Sequence, residues 1–240
     1  MNDIFELSAS NNLVAFADDT ALLCENEEKE HVFVEASEAV TLVDNWLQDN
    51  LLTLNIKKCN FINFTLRNQD TVPNCLVKHS TSCNNKTSCS CPLLEQLDEI
   101  KYLGVILDKN LNWKCHIRTI ANKLRAFLCK VYFLRKHVSE DTLKTFYFAL
   151  VQSVLQYSIV CWGGTYLNAI KPLLTLQKKI IRTMTYKARR EHTLPIFQKL
   201  HILPVRYLYI YRVLLDYYKK KAYTSQTVFL AHIQLEVKLH

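Results

Sequence analysis

Asp18 and Asp19 stand side by side in LVAFADDTALLC, residues 13–24, between two apolar runs and with no basic residue beside them. Adjacent carboxylates repel unless something positive sits against them. Their hard oxygens suit Mg2+. Two such cations about 3.5–4 Å apart can activate a hydroxyl nucleophile and steady a departing phosphate. A plainer role stays open here, because Asp is a common turn residue that tolerates left-handed backbone. Other sets with chemical potential are sparse. Three glycines, Gly104, Gly163 and Gly164, exclude a glycine-rich phosphate loop. Cys75, His79, Cys83, Cys89 and Cys91 raise the question of zinc. Their spacing repeats no CxxC pair and Cys89-Ser-Cys91 is tight, so a polar loop that tolerates cysteine is the preferred reading.

The elements around the carboxylates follow from periodicity. Residues 13–16 and 20–24 read as two short strands, a hairpin with Asp18 and Asp19 at or near its tip. From Glu27 to Leu52, Val32, Ala36, Ala39, Val40, Val43, Trp46 and Leu47 recur at helical steps, and Asn50 is a candidate terminator. Leu52–Phe64 reads as a strand, and 67–98 as a polar loop or insert. An apolar strand is expected over Ile100–Leu107, followed by a polar turn at Asp108-Lys109-Asn110. A helix then starts with Asn112 as N-cap and carries a stripe from Trp113 through Ile117, Ile120 and Leu124 to Val131. A second helix follows Ser139 with the stripe Leu143, Phe146, Tyr147, Leu150, Val154 and Leu155, ending at Gly163-Gly164. A basic helix spans 169–185 with Lys178, Lys179 and Arg182; two more start near Leu194 and after Pro204. Nothing regular is legible after Tyr223. The expected fold class is α+β, a small α/β part followed by an all-helical part.

Charge divides the same way. Residues 1–100 hold 6 Lys and Arg against 16 Asp and Glu, whereas residues 101–240 hold 24 against 6. A basic, aromatic-rich second part suits a polyanion partner, although a solvated lysine-rich surface would look similar. Nine cysteines, an odd number scattered mostly in apolar segments, suit reduced thiols in an intracellular protein, with nothing to separate nucleus from cytoplasm. No apolar run is long enough to span a bilayer.

Phe16-Ala17-Asp18-Asp19 resembles the catalytic [YF]ADD box of non-LTR retrotransposon reverse transcriptases. LTLNIKKC, residues 52–59, resembles that family's next box, with Asn55, Lys58 and Cys59 in matching places. YLGVILDKNLNWKCHI, residues 102–117, resembles the box leading from palm to thumb, matching at Tyr102, Leu103, Gly104, Asp108, Leu111, Trp113 and His116. LVQSVLQYSIVCWGG, LLTLQKKIIRTM and TLPIFQKLHILPVRYL continue the likeness, which covers roughly residues 10–220.

The resemblance implies a partial polymerase palm over 1–112, a helical thumb and post-thumb region over 113–222, and an unassigned tail over 223–240. It implies RNA-directed DNA synthesis by two-metal nucleotidyl transfer with Mg2+ on Asp18 and Asp19. Phe16 and Lys58 would face the incoming nucleotide or departing pyrophosphate. Tyr102 and Gly104 would lie in the hairpin supporting the primer end. Lys123, Arg125, Lys130, Arg135 and Lys136 would track the phosphates of an RNA template–DNA primer duplex. Trp113 and His116 read as packing and capping residues. The family also has fingers and an earlier palm strand with another essential aspartate. No counterpart is seen before Phe16, so a truncated, inactive polymerase is expected. A nucleic-acid-binding module without catalysis, or a protein-interaction remnant, are the alternatives. No membrane partner is expected, and oligomeric state is not indicated.

Overall fold

The structure, a computed structural model, describes residues 4, 13–17, 19–64, 76–77, 91–223 and 237–239. Asp18, Cys75, His79, Cys83 and Cys89 lie outside the described residues. The fold class is α+β, and the chain divides into two compact units: residues 1–111 with 231–240, and residues 112–230.

In the first unit, β1 (Leu13–Phe16) and β2 (Asp19–Leu22) pair antiparallel, from Leu13↔Leu22 to Phe16↔Asp19. Then α1 (Lys29–Asp49) buries Ala36, Val40, Val43 and Trp46. These cluster with Leu22, Leu54, Cys59, Phe61 and Leu94. Each large apolar side chain buried there stabilises the fold by about 1.5–3 kcal/mol. Asn50 ends the helix as its spacing predicts. Its N–H reaches the Trp46 and Leu47 carbonyls at 3.1 Å each, and its side-chain amide donates to the Trp46 carbonyl at 2.9 Å.

Leu52–Phe64 is not one strand. Ile56–Lys58 form a 3-10 turn and only Asn60–Phe61 (β3) is extended. The Asn55 carbonyl explains the difference. It accepts from the N–H groups of Lys58 (2.9 Å) and Cys59 (3.2 Å) and from the Cys59 thiol (3.3 Å), so the backbone closes on itself.

Within the polar insert, Leu76–Val77 (β4) pairs with Leu93–Gln96 (β5). The buried Ser37 hydroxyl donates to the Phe33 carbonyl at 2.8 Å and accepts the Val77 N–H at 3.3 Å, tying β4 to α1. The expected strand over Ile100–Leu107 is instead a hairpin, β6 (Glu99–Tyr102) with β7 (Val105–Asp108). Its turn holds Leu103 at φ 42° and Gly104 at φ 82°. Two positive φ values match the twist of the flanking strands, and glycine adopts the second at no steric cost.

The helical unit begins with α2 (Lys114–Leu134), whose N-cap is Trp113 rather than Asn112. Trp113 sits in the left-handed region at φ 61°, and its carbonyl accepts the Ile117 N–H at 2.9 Å. The predicted stripe is the core face: Ile117, Ile120, Leu124 and Val131 are buried, with Trp113, Phe127 and Leu128 packed against them. Ser139 caps α3 (Glu140–Phe146), accepting the Thr142 N–H. A π-helical turn, Tyr147–Gln152, follows, then α4 (Ser153–Gln156). The wide turn moves the buried face to Leu143, Tyr147, Val151 and Leu155, leaving Phe146 and Leu150 partly exposed. Ser158, at φ 49°, breaks the helix before α5 (Ile159–Trp162), earlier than the glycines. The remaining helices are α6 (Leu167–Met184), α7 (Leu194–Leu200) and α8 (Val205–Tyr223).

Residues 237–239 form β8, which belongs to the first unit. It pairs antiparallel with β2 on one side and β3 on the other, giving the sheet order β1-β2-β8-β3-β5-β4.

Candidate functional site

Phe16 pairs directly with Asp19, so Ala17 and Asp18 are the whole connection between β1 and β2. Ala17 has φ 54°, as a tight hairpin of this twist requires of its first central residue. Directly opposed residues share a sheet face, and successive residues alternate. Phe16 and Asp19 therefore lie on one face with Val14 and Ala21. Leu13 and Leu22 lie on the other, with the cluster under α1. Ala21 is completely buried, Asp19 is half-buried and Phe16 is 64% exposed. The apolar residues that anchor the turn thus leave its carboxylate at the rim of the sheet.

Register brings Lys58 to the same end. Across β8, Ala21 and Asn60 both pair with Lys238. Asp19 and Lys58 each precede those residues by two. Both therefore lie toward the same end of parallel β2 and β3, strands that β8 separates by two spacings, about 10 Å. Lys58 is exposed on its 3-10 turn.

Tyr102 and Gly104 divide. Gly104 is exposed at the β6–β7 turn, where backbone conformation already accounts for glycine. Tyr102 is a core residue, 9% exposed and clustered with Ala21, Ile62 and Ile100, which supports the underside of the hairpin rather than presenting the ring.

The five cations expected to follow a duplex do not form one row. At about 100° per residue, Lys123 and Lys130 lie along one flank of the buried stripe of α2. Arg125 lies on the opposite flank, together with Arg118, which the motif comparison missed although it sits seven residues earlier at the same helical angle. Arg125 donates to the Asn122 side chain at 2.6 Å, and the Lys130 ammonium lies 5.7 Å from the Phe127 ring centroid. Lys136 is exposed beyond the helix end. Arg135 is half-buried, stacked between Tyr132 and Tyr186 at 4.7 Å from each ring, and donates to the Thr183 carbonyl at 3.3 Å. His116 is buried, edge-on to Trp113 and to Trp162. Burial, then the nearby Lys123 charge, lowers its pKa below the ordinary 6.5.

Among the described residues no group of three or more His, Cys, Asp or Glu is gathered where it could hold a metal ion. Asp19 offers an oxygen donor of the right kind for Mg2+; its neighbour Asp18 lies outside the described residues. None of the described helices is long and apolar enough to cross a membrane.

Residues 1–107 match the family model described as reverse transcriptase (RNA-dependent DNA polymerase). The match ends inside β7, close to the boundary between the two units. Over 195 residues the chain is 29% identical to the RNA-directed DNA polymerase from mobile element jockey of Drosophila funebris, covering 77% of this chain and 19% of that protein. Over 186 residues it is 25% identical to the probable RNA-directed DNA polymerase from transposon X-element of Drosophila melanogaster, covering 75% and 19%. The chain spans about a fifth of the length of these curated relatives. No solved structure matches the chain. These matches bear out the resemblance to non-LTR retrotransposon reverse transcriptases read from the three boxes.

Proposed function

We propose, from the premise that residues 1–107 match the reverse transcriptase family model, that this chain supplies the carboxylate turn of an RNA-directed DNA polymerase. Members of that family use a divalent metal. Asp18 and Asp19 are the metal-binding carboxylates in this reading, and Mg2+ held by them would neutralise charge at the primer hydroxyl and the departing pyrophosphate. Phe16 offers an exposed ring at the rim where a nucleotide would lie. Lys58, at the same end of the sheet, offers a cation to the triphosphate. The two flanks of α2 offer phosphate contacts to template and primer without reading sequence.

The observation that carries this reading is the Phe16↔Asp19 pair, which closes a two-residue turn inside the region the family model covers. Nothing else in the plain turn interpretation calls for two acids at that point.

Two adjacent carboxylates leave most positions of two six-coordinate Mg2+ ions unfilled. The 240-residue polypeptide assayed by itself is therefore expected to bind a divalent ion weakly and to extend no primer. The test combines Mn2+ binding, followed by electron paramagnetic resonance, with primer extension on an RNA template. Binding that disappears in Asp18→Asn and Asp19→Asn but persists in Asp98→Asn supports the assignment. Binding indifferent to Asp18 and Asp19 overturns it. Extension that is lost in Asp18→Asn would retain the assignment and overturn the inactivity of the polypeptide.

A further inference from the structure

The C-terminal end of α6 and the loop behind it concentrate positive charge. Residues 178–192 hold six Lys or Arg and one acid, Glu191. Four of the cations, Lys179, Arg182, Lys187 and Arg189, line one depression of about 270 Å3, completed by Leu128 and Thr183. That is just under the roughly 300–1,000 Å3 of pockets for drug-sized ligands.

Glu191 organises this wall without neutralising it. Its carbonyl accepts Nε (3.0 Å) and Nη2 (2.8 Å) of Arg182, and its carboxylate takes the Lys187 ammonium at 2.8 Å. A guanidinium has five N–H donors, so Arg182 keeps three for a ligand. Lys179 and Arg189 are exposed and make no ion pair among the described residues. One carboxylate against four cations leaves a surplus that an anion would relieve.

The surroundings indicate which anion. Thr183, on the pocket wall, accepts the Arg135 guanidinium through its carbonyl. That guanidinium is sandwiched by Tyr132 and Tyr186, residues that are 51% and 61% exposed. Tyr132 also meets Phe133 edge-on and the Tyr186 hydroxyl donates to the Arg135 carbonyl, yet both residues keep more than half of their surface open to solvent. Cations that track phosphates next to open aromatic faces are what an unpaired nucleic-acid strand requires, because its bases are free to stack. Inorganic phosphate would engage the cations alone and leave the exposed parts of both rings uncovered.

We propose that the pocket of Lys179, Arg182, Lys187 and Arg189 binds a backbone phosphate of a single-stranded nucleic acid, with an adjacent base stacked on Tyr132 or Tyr186. This site belongs wholly to the helical unit. It goes beyond the polymerase reading and needs neither the carboxylate turn nor the α2 flanks.

The test is fluorescence anisotropy of the full chain with a labelled single-stranded 12-mer RNA across a salt series. Lys179→Gln/Arg189→Gln is expected to weaken binding about tenfold and to reduce the salt slope by about 1.4, at ~0.7 per strand phosphate contact. Lys144→Gln/Lys171→Gln removes the same charge elsewhere on the unit and is expected to change affinity less than threefold. Lys179→Arg/Arg189→Lys, which preserves charge, is expected to bind as the parent does, separating charge loss from misfolding. Equal loss in the two glutamine pairs would mean diffuse attraction and overturn the pocket. Loss of inorganic phosphate binding with RNA binding intact would make it a free-phosphate site and overturn the nucleic-acid assignment. Preference for duplex over single strand would overturn the stacking part. The Mn2+ binding that tests the polymerase reading involves none of these cations, so failure here and failure of that reading are separable.

Discussion

Gln177→Leu is expected to destabilise the helical unit by about 3 kcal/mol. Gln177 is fully buried on α6. Its amide nitrogen donates to the Tyr147 hydroxyl at 2.7 Å and to the Leu203 carbonyl at 2.9 Å, and its Oε1 accepts the Val205 N–H at 3.0 Å. One side chain thereby joins the π-helical turn, α6 and the start of α8. Leucine is close in volume and replaces none of these bonds. Orphaning a buried neutral group costs about 1–3 kcal/mol. The Tyr147 hydroxyl and the Val205 N–H count fully. The Leu203 carbonyl counts for less, because Leu203 is 40% exposed and water can reach it. Burial of the added apolar surface returns about 1 kcal/mol. For a unit of this size the net loss lowers the melting temperature by about 10 °C. Burial pushes the Tyr147 phenol well above its usual pKa, so ionisation offers no escape. Urea and thermal unfolding followed by circular dichroism and by fluorescence of the buried Trp162 measure the loss. Tyr147→Phe in the parent is expected to cost about 1 kcal/mol. In the Gln177→Leu background it removes the orphaned hydroxyl and is expected to restore stability. A Gln177→Leu cost below about 1 kcal/mol, or additive loss in the double variant, would refute the reasoning.

Two more predictions concern the same unit. A Cβ on Gly163 would lie 2.5 Å from the Ile159 carbonyl oxygen and 2.7 Å from Cδ2 of Tyr209. Gly163 has φ −71°, which alanine adopts freely, so the cost of Gly163→Ala is steric, about 1–3 kcal/mol by thermal denaturation. Gly164→Ala meets only the movable Tyr209 ring end, at 2.8 Å from its hydroxyl, and is expected to cost less. His116 has a folded pKa below its ordinary 6.5, so the unfolded chain takes up the proton first as pH falls. Its contribution is therefore complete at neutral pH and is lost on acidification through that range. His116→Phe is expected to flatten the melting temperature between pH 7 and pH 5, and an unchanged pH profile would rule the histidine out.

The stripe of α2 was legible in the sequence because it depends on a short-range period that burial then enforces, and the hairpin at residues 13–22 because two apolar runs flank its turn. The carboxylates marked the hairpin turn by interrupting two apolar runs. Misreadings arose where local pattern and local bonding part company. Leu103 turns at positive φ inside an apolar run, so hydropathy alone read Ile100–Leu107 as one strand, whereas the family resemblance had placed Tyr102 and Gly104 in a hairpin. In Leu52–Phe64 the Asn55 carbonyl captured the Lys58 and Cys59 N–H groups that a strand would have needed elsewhere. The π-helical turn moved the buried face from Leu150 to Val151, a shift that no count at 3.6 residues per turn contains. Lys179, Arg182, Lys187 and Arg189 meet in one pocket because the Glu191 carbonyl and carboxylate draw the loop back against α6. Only their density in the sequence suggested it.

The strand at residues 237–239 has a consequence for synthesis of the chain. Its partners on β2 leave the ribosome more than two hundred residues earlier, while the helical unit between them is contiguous. Loop closure over that distance is slow and contributes nothing until it is complete. The helical unit can settle while β2 and β3 still wait with bare inner edges, open to pairing with any passing extended segment. A chaperone or neighbouring polypeptide that occupies those edges would be displaced only when residues 237–239 arrive.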